Sequence, residues 1–217
     1  VFLVILSTLF SFPSISGSAS QEAIDSLAAK LEALEVSEAW TEVRRLLADE
    51  PNDPKLLELA SHIAFHKGDY QEASKWMKQA LEQGGEDEKR KAFASFTEET
   101  FTLVSSFKRV ESSHFVISLD EKQDGILTDY LIESLEKTYQ VMAQQYAFQP
   151  LEKIRIEVFP NAKAFYLATT LSVRDIEVTG AVGIAQFNKL MMLSPRALVH
   201  GYRWLDAISH EYVHYLI

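Results

Sequence analysis

The hydrophobic and polar positions of this chain follow one rule in its first half and another in its second. From Gln21 to Gly85 apolar and small residues recur three and four apart, the period of helices that bury one side. A charged, glycine-containing stretch, Gly84 to Lys91, leads to a further helical segment, Ala92 to Phe107. Then the pattern changes: His114 to Leu119 (HFVISL) reads as a strand, and Ile154 to Phe159 (IRIEVF) alternates as a half-buried one. Between them, Gly125 to Tyr146 carries Leu127, Leu131, Leu135, Tyr139 and Met142 on one side, an amphipathic helix stopped by Pro150. Pro160-Asn161 opens another helix, Ala162 to Leu171, and the glycines and alternation from Gly180 to Leu193 predict a strand pair. A last helix begins near Tyr202. The order strand, helix, strand, helix, strands, helix predicts an α+β unit with a small mixed sheet, placed after an all-α unit.

The helical half repeats itself. Laid 34 positions apart, Val36 falls on Tyr70, Ala39 on Ala73, Val43 on Met77, Leu47 on Leu81 and Pro51 on Gly85. The second copy is the clearer: Leu57, Ala60 and Ala64 on its first helix, Gly68-Asp69-Tyr70 at the turn, then Ala73, Met77, Ala80 and Leu81. Small residues at 60, 64, 73 and 80 let paired helices approach closely. Residues 21–85 thus resemble tetratricopeptide repeats, whose period is about 34 residues. The chain departs from that pattern at Leu57, where a bulky aromatic is expected, and before Leu34, where the first copy is degenerate. Trp40 and Trp76 are assigned to the repeat helices. The resemblance implies a docking surface for a protein partner, and two repeats bury too little to stand alone, so they are expected to pack on the α+β unit. Residues 86–111 are expected to form a helical connector, with Glu86-Asp87-Glu88 as a solvated linker.

Composition narrows the functional classes. With 47% hydrophobic and 24% charged residues, the 217-residue chain has the balance of a folded protein, and its net charge of −10 provides no basic stripe for nucleic acid or an anionic membrane surface. There is no cysteine, so any metal must rest on His and carboxylate. Val1 to Phe12 is almost wholly apolar and is followed by Pro13 and the small residues Ser14 to Ser20. That pattern predicts an export signal over 1–20, cut around Gly17 to Ser20 and too short for a comfortable span. It implies a periplasmic or extracellular location, with membrane contact only through an uncleaved signal. The missing initiator Met and basic n-region, and an ending at Ile217 soon after the segment His210 to His214, lead to the expectation of a piece of a longer protein.

The chemistry concentrates in His210-Glu211-Tyr212-Val213-His214 on the last helix. Histidines four apart project from one face, one turn apart, where a single zinc ion (Zn2+) can take both imidazoles. Glu211 lies about 100° round the helix from His210, beside a metal rather than on it, the place for a general base. Leu205, Ile208, Tyr212, Val213 and Leu216 would hold the other face in the core. Against this stands a surface helix with two solvated histidines. His62 and His66 are also four apart, but no carboxylate base accompanies them and they are assigned outward positions on the repeat. His114 and His200 read as hydrogen-bonded edge residues, and Tyr202 and Trp204 as packing at the helix entry.

From Ser112 to Ile217 the chain resembles a gluzincin-type metallopeptidase domain, of the thermolysin-like superfamily, in a bacterial subgroup where it follows tetratricopeptide repeats. The residues that carry this are SSHFVISLD (Ser112 to Asp120), IRIEVFPNAKAF (Ile154 to Phe165), GAVGIAQFNKLMMLSPR (Gly180 to Arg196) and WLDAISHEYVHYLI (Trp204 to Ile217). The resemblance implies that His210 and His214 are zinc ligands and Glu211 the catalytic base of peptide-bond hydrolysis. It also implies that the strand around Ile184 to Phe187 lies at a sheet edge above the motif helix, where a peptide substrate adds as a strand through the backbone of Ala185. A third ligand, a Glu on a following helix, and a downstream Tyr or His for the oxyanion belong to the family's pattern; no residue of this sequence is assigned to them. The competing expectation is an inactive repeat scaffold that serves assembly in the cell envelope.

Overall fold

The computed structural model of the protein describes residues 21–85, 87–147, 149–150, 152–169, 174 and 180–216. The expected export signal and the end of the helix predicted over Ala162 to Leu171 lie outside them. The fold is α+β, a layer of helices packed against a five-stranded mixed sheet. Among the described residues no helix is long and apolar enough to cross a membrane.

The helical layer comprises α1 (Gln21–Glu32), α2 (Val36–Asp49), α3 (Pro54–Lys67), α4 (Tyr70–Gly84) and α5 (Glu88–Val104). Their starts reproduce the spacing seen in the sequence: α4 begins at Tyr70, one repeat after Val36 of α2, and α5 at Glu88, one repeat after Pro54 of α3. The capping chemistry repeats with them. Asp53 accepts from the Leu56 N–H, and Asp87, at the same place in the next repeat, accepts from the Lys89 and Arg90 N–H groups. Each carboxylate satisfies donors that a helix start leaves unpaired, so Asp87 and Glu88 are exposed as expected but open α5 instead of forming a linker. Ala39, Val43, Ala60, Ala64, Ala73, Met77, Ala80 and Ala94 fill one core, with Trp40 tilted against Trp76 at 5.5 Å. α3 ends at Gly68, whose φ of +88° favours a residue without a side chain, and whose bare Cα is crossed by the Arg155 guanidinium.

After α5 the expected helical connector gives way to β1 (Lys108–Glu111). It pairs antiparallel with β2 (Phe115–Leu119), which runs parallel to β3 (Ile154–Phe159). β3 is parallel to β5 (Lys189–Leu193), and β4 (Gly183–Gln186) closes the far edge antiparallel to β5, giving the order β1-β2-β3-β5-β4. β1 was not evident in the pattern because KRVE has no buried face to alternate; it is exposed at three of four positions. A one-turn helix, α6 (Glu121–Asp124), and a 3-10 turn over Gly125–Leu127 precede α7 (Thr128–Tyr146). Then α8 (Ala162–Ala168) follows β3, and α9 (Trp204–Leu216) ends the described chain.

Strand alternation sorts the sheet into two faces. Phe115, Ile117, Ile154, Ile156, Val158, Leu190 and Met192 meet α7 and α9 through Leu131, Leu135, Tyr139, Ile208 and Tyr212. On the other face Phe159, Met191 and Leu193 pack on Phe165 of α8 and on Leu103 and Val104 of α5. β3 was expected to be half-buried; instead both faces are covered, because the helical layer lies on its polar side. Glu157 is 5% exposed and Lys189 0%. Charges there need partners. Lys189 Nζ lies 2.6 Å from Glu157 Oε2 and also donates to the Tyr70 hydroxyl, which in turn donates to Glu157 Oε1. Beside them Arg155 donates to the carbonyls of His66 and Phe187. A buried polar seam therefore joins α3 and α4 to β3 and β5.

Candidate metal centre

The motif helix is held from behind. Ile208 and Tyr212 are buried against the sheet, with Tyr212 stacked on Tyr139 and edge-on to Phe115 at 5.8 Å. Ser209 and Thr138 link α9 to α7 through their hydroxyls at 3.1 Å. At the helix entry the Tyr202 hydroxyl donates to the Leu193 carbonyl, and at its last turn Tyr215 donates to Asn188 Oδ1 at 3.0 Å. With one face fixed, the other presents His210 and His214 to solvent.

Their Nε2 atoms are 3.0 Å apart, with the rings nearly perpendicular at 85°. A tetrahedral zinc ion with bonds of about 2.0 Å to nitrogen separates two ligand nitrogens by about 3.3 Å, so the pair already converges as a chelate needs. No group of three or more His, Cys, Asp or Glu suited to a metal occurs among the described residues. The two imidazoles fit two positions of a zinc shell.

Glu211 points sideways from α9 onto β4. Its carboxylate accepts the Ala185 backbone N–H. Burial pushes the Glu211 carboxyl above the ordinary carboxylate range, opposed by His210, His214 and that N–H. The bond also shows which way β4 faces. In an antiparallel pair alternate residues turn their backbone groups outward, so with Ala185 N–H aimed at Glu211, Gly183 and Ala185 form the free edge, while Val182 accepts from Leu193 N–H at 2.8 Å on the β5 side.

Two residues, Phe187 and Asn188, turn β4 into β5, both at positive φ, 55° and 54°. Such a turn usually takes Asn-Gly, and a phenylalanine there is strained. Packing holds it: Phe187 lies edge-on to Phe65 at 4.9 Å and to His66 at 5.4 Å, and its carbonyl accepts from Arg155 at 3.1 Å. The hairpin tip is thereby anchored in the helical layer. Beside it a cleft of about 580 Å³ runs from Leu34 and Val36 of the helical layer, along Ala185 and Gln186, to His214.

The remaining sequence candidates fall into structural roles. His62 stacks on Phe93 at 3.9 Å, and His66 lies against Phe187, so both face inward rather than occupying outward positions. The reason is that α3 has more than one neighbour: α5 and the hairpin tip cover the side that a lone helix pair would leave open. Burial, reinforced by His62, Arg155 and Lys189, lowers the His66 pKa to about 4. His114 bonds Glu136 at 2.6 Å through Nδ1 and stacks on Tyr139, an edge residue as expected. His200 is exposed ahead of α9. Gly183 and the polar seam were not singled out: a glycine inside a strand pattern was the available signal for the first, and nothing local marked the second.

Comparisons with protein-family models, curated proteins and solved structures find no match to this chain.

Proposed function

We propose that the chain carries the zinc-binding and catalytic core of an exported peptidase, with tetratricopeptide-like repeats as its helical layer and a gluzincin-type sheet domain. The observation that carries this reading is the convergence of the His210 and His214 Nε2 atoms to 3.0 Å, with Glu211 held beside them against the free edge of a sheet. A bound zinc ion would supply Lewis acidity, acidifying water toward neutral pH and polarising a carbonyl. His210 and His214 would hold it, each through its Nε2 lone pair. Glu211 takes the proton of the attacking water and passes it to the departing amine. The outward backbone groups of Gly183 and the outward carbonyl of Ala185 orient an extended peptide as an added strand, the Ala185 N–H being kept by Glu211, and the cleft receives the substrate beyond His214. The repeats offer a docking surface for a protein substrate or partner. Export rests on the apolar run and small-residue tract of residues 1–20.

The test uses the full-length protein. Zinc content by elemental analysis should be about one per chain, and His210→Ala should abolish it. Glu211→Gln should keep the metal while hydrolysis of a quenched-fluorescence peptide library disappears. Retained metal with unchanged hydrolysis would remove Glu211 from the role of base, and absence of stoichiometric zinc would refute the reading altogether.

A further inference from the structure

We infer that Gly183 is a positioning residue for Glu211, its missing side chain being the slot that fixes where the carboxylate sits; this rests on the reading of Glu211 as the base. Gly183 is not a backbone necessity: among the described residues the glycines with positive φ are Gly68, Gly85, Gly180 and Gly201, and Gly183 is not one of them. A glycine in ordinary extended conformation weakens a strand, and it often marks a place where something else approaches the backbone. Here that something is Glu211. A Cβ at position 183 would lie 2.8 Å from Glu211 Cγ, 3.3 Å from Cδ and 3.4 Å from Oε1. Carbon atoms in contact normally sit about 3.5–4.0 Å apart. The closest clash is with Cγ, near the root of the side chain, so a turn of the carboxylate alone does not relieve it. Moving Cγ means changing χ1, and on a helix few χ1 wells are open. The head is fixed as well, by the N–H of Ala185, two positions along the same outward edge. β4 therefore grips Glu211 at both stem and head, and a methyl at 183 swings the carboxylate away from the histidines.

Thermal unfolding of the full-length protein with Gly183→Ala, Glu211→Ala and both changes tests the interlock without calling on activity. Gly183→Ala should lower Tm by roughly 3 °C where Glu211 is present and not at all where residue 211 is Ala, since the Cγ it strikes is gone. If Gly183→Ala does not fold while the double variant does, the interlock is supported. An equal Tm loss in both backgrounds, or failure of both to fold, would mean that the glycine serves the strand itself and would overturn the inference. In the zinc-loaded protein, Gly183→Ala should reduce kcat by about 100-fold with KM nearly unchanged and zinc content intact. A wild-type kcat would overturn it too. Should the unsubstituted protein hydrolyse no peptide, the peptidase reading falls, and the Tm comparison alone then decides whether Gly183 positions Glu211.

Discussion

Substituting Glu157 by Gln leaves a charged lysine with no counter-charge inside the molecule, and the structure sets the size of the effect. Lys189 and Glu157 are both buried and 2.6 Å apart, a gross attraction of about 6 kcal/mol at an effective dielectric near 20. Burial, with Arg155 adding to it and Glu157 opposing, still brings the Lys189 pKa from 10.5 to about 8. At about 1.4 kcal/mol per unit, its charged form is already about 3 kcal/mol worse placed than in water. Glu157→Gln should therefore cost about 3–5 kcal/mol, a large part of the roughly 5–15 kcal/mol that holds a domain folded. Replacing the whole seam at once, with Tyr70→Phe, Glu157→Leu and Lys189→Met, removes both charges and the hydroxyl between them and should come close to wild type. Urea unfolding at pH 7 measures each. A loss below about 1 kcal/mol for Glu157→Gln, or a triple variant as unstable as the single, would refute the assignment of the seam as a buried, mutually dependent charge pair. The pH dependence carries a further check. Because the folded-state pKa of Lys189 lies below the unfolded value, the unfolded chain binds more protons above pH 8. Stability should rise between pH 8 and 10, and Lys189→Met should flatten that rise.

His66 gives the opposite end of the pH scale: its folded pKa of about 4 lies below the ordinary 6.5, so its contribution is complete above pH 6.5 and lost as pH falls through 4. Tm measured from pH 7 to 4 should fall, less so in His66→Phe. Phe187→Ala withdraws the hairpin tip from its aromatic pocket and should destabilise by about 2–4 kcal/mol, with relief of backbone strain giving little back. Hydrogen exchange should then speed up in Gly183–Gln186 more than in Ile154–Phe159; equal change in both strands would argue against a local anchor.

Helix-period patterns translated well into structure because one buried face decides a helix's periodicity. Val36 and Tyr70, Ala39 and Ala73, and Val43 and Met77 are buried in matched pairs, as the repeat requires. The motif helix was legible for the same reason, Ile208 and Tyr212 being buried opposite His210 and His214. Misreadings came where a tertiary neighbour supplied a second face. IRIEVF alternates as though Arg155 and Glu157 met water, and only their partners Tyr70, Lys189 and the His66 carbonyl, far off in sequence, reverse that. Likewise α5 looked like a linker followed by a helix, since its Asp87 cap sits in an acidic run; aligning Asp87 with Asp53, its counterpart one repeat earlier, would have exposed it. The grip on Glu211 depends on a strand and a helix well separated along the chain, a relation that periodicity cannot express.

The start of α5 has an architectural consequence. It stands where the opening helix of a third unit belongs and packs on α8 instead, with Leu103 and Val104 against the Phe165 cluster and Thr100 bonded to the Leu167 carbonyl. The sheet thus acts as the stopper of the helical stack. A unit spliced in between α4 and α5 would carry Tyr70 and Phe65 one full step away from Glu157 and Phe187, unfastening the hairpin tip from the helical layer.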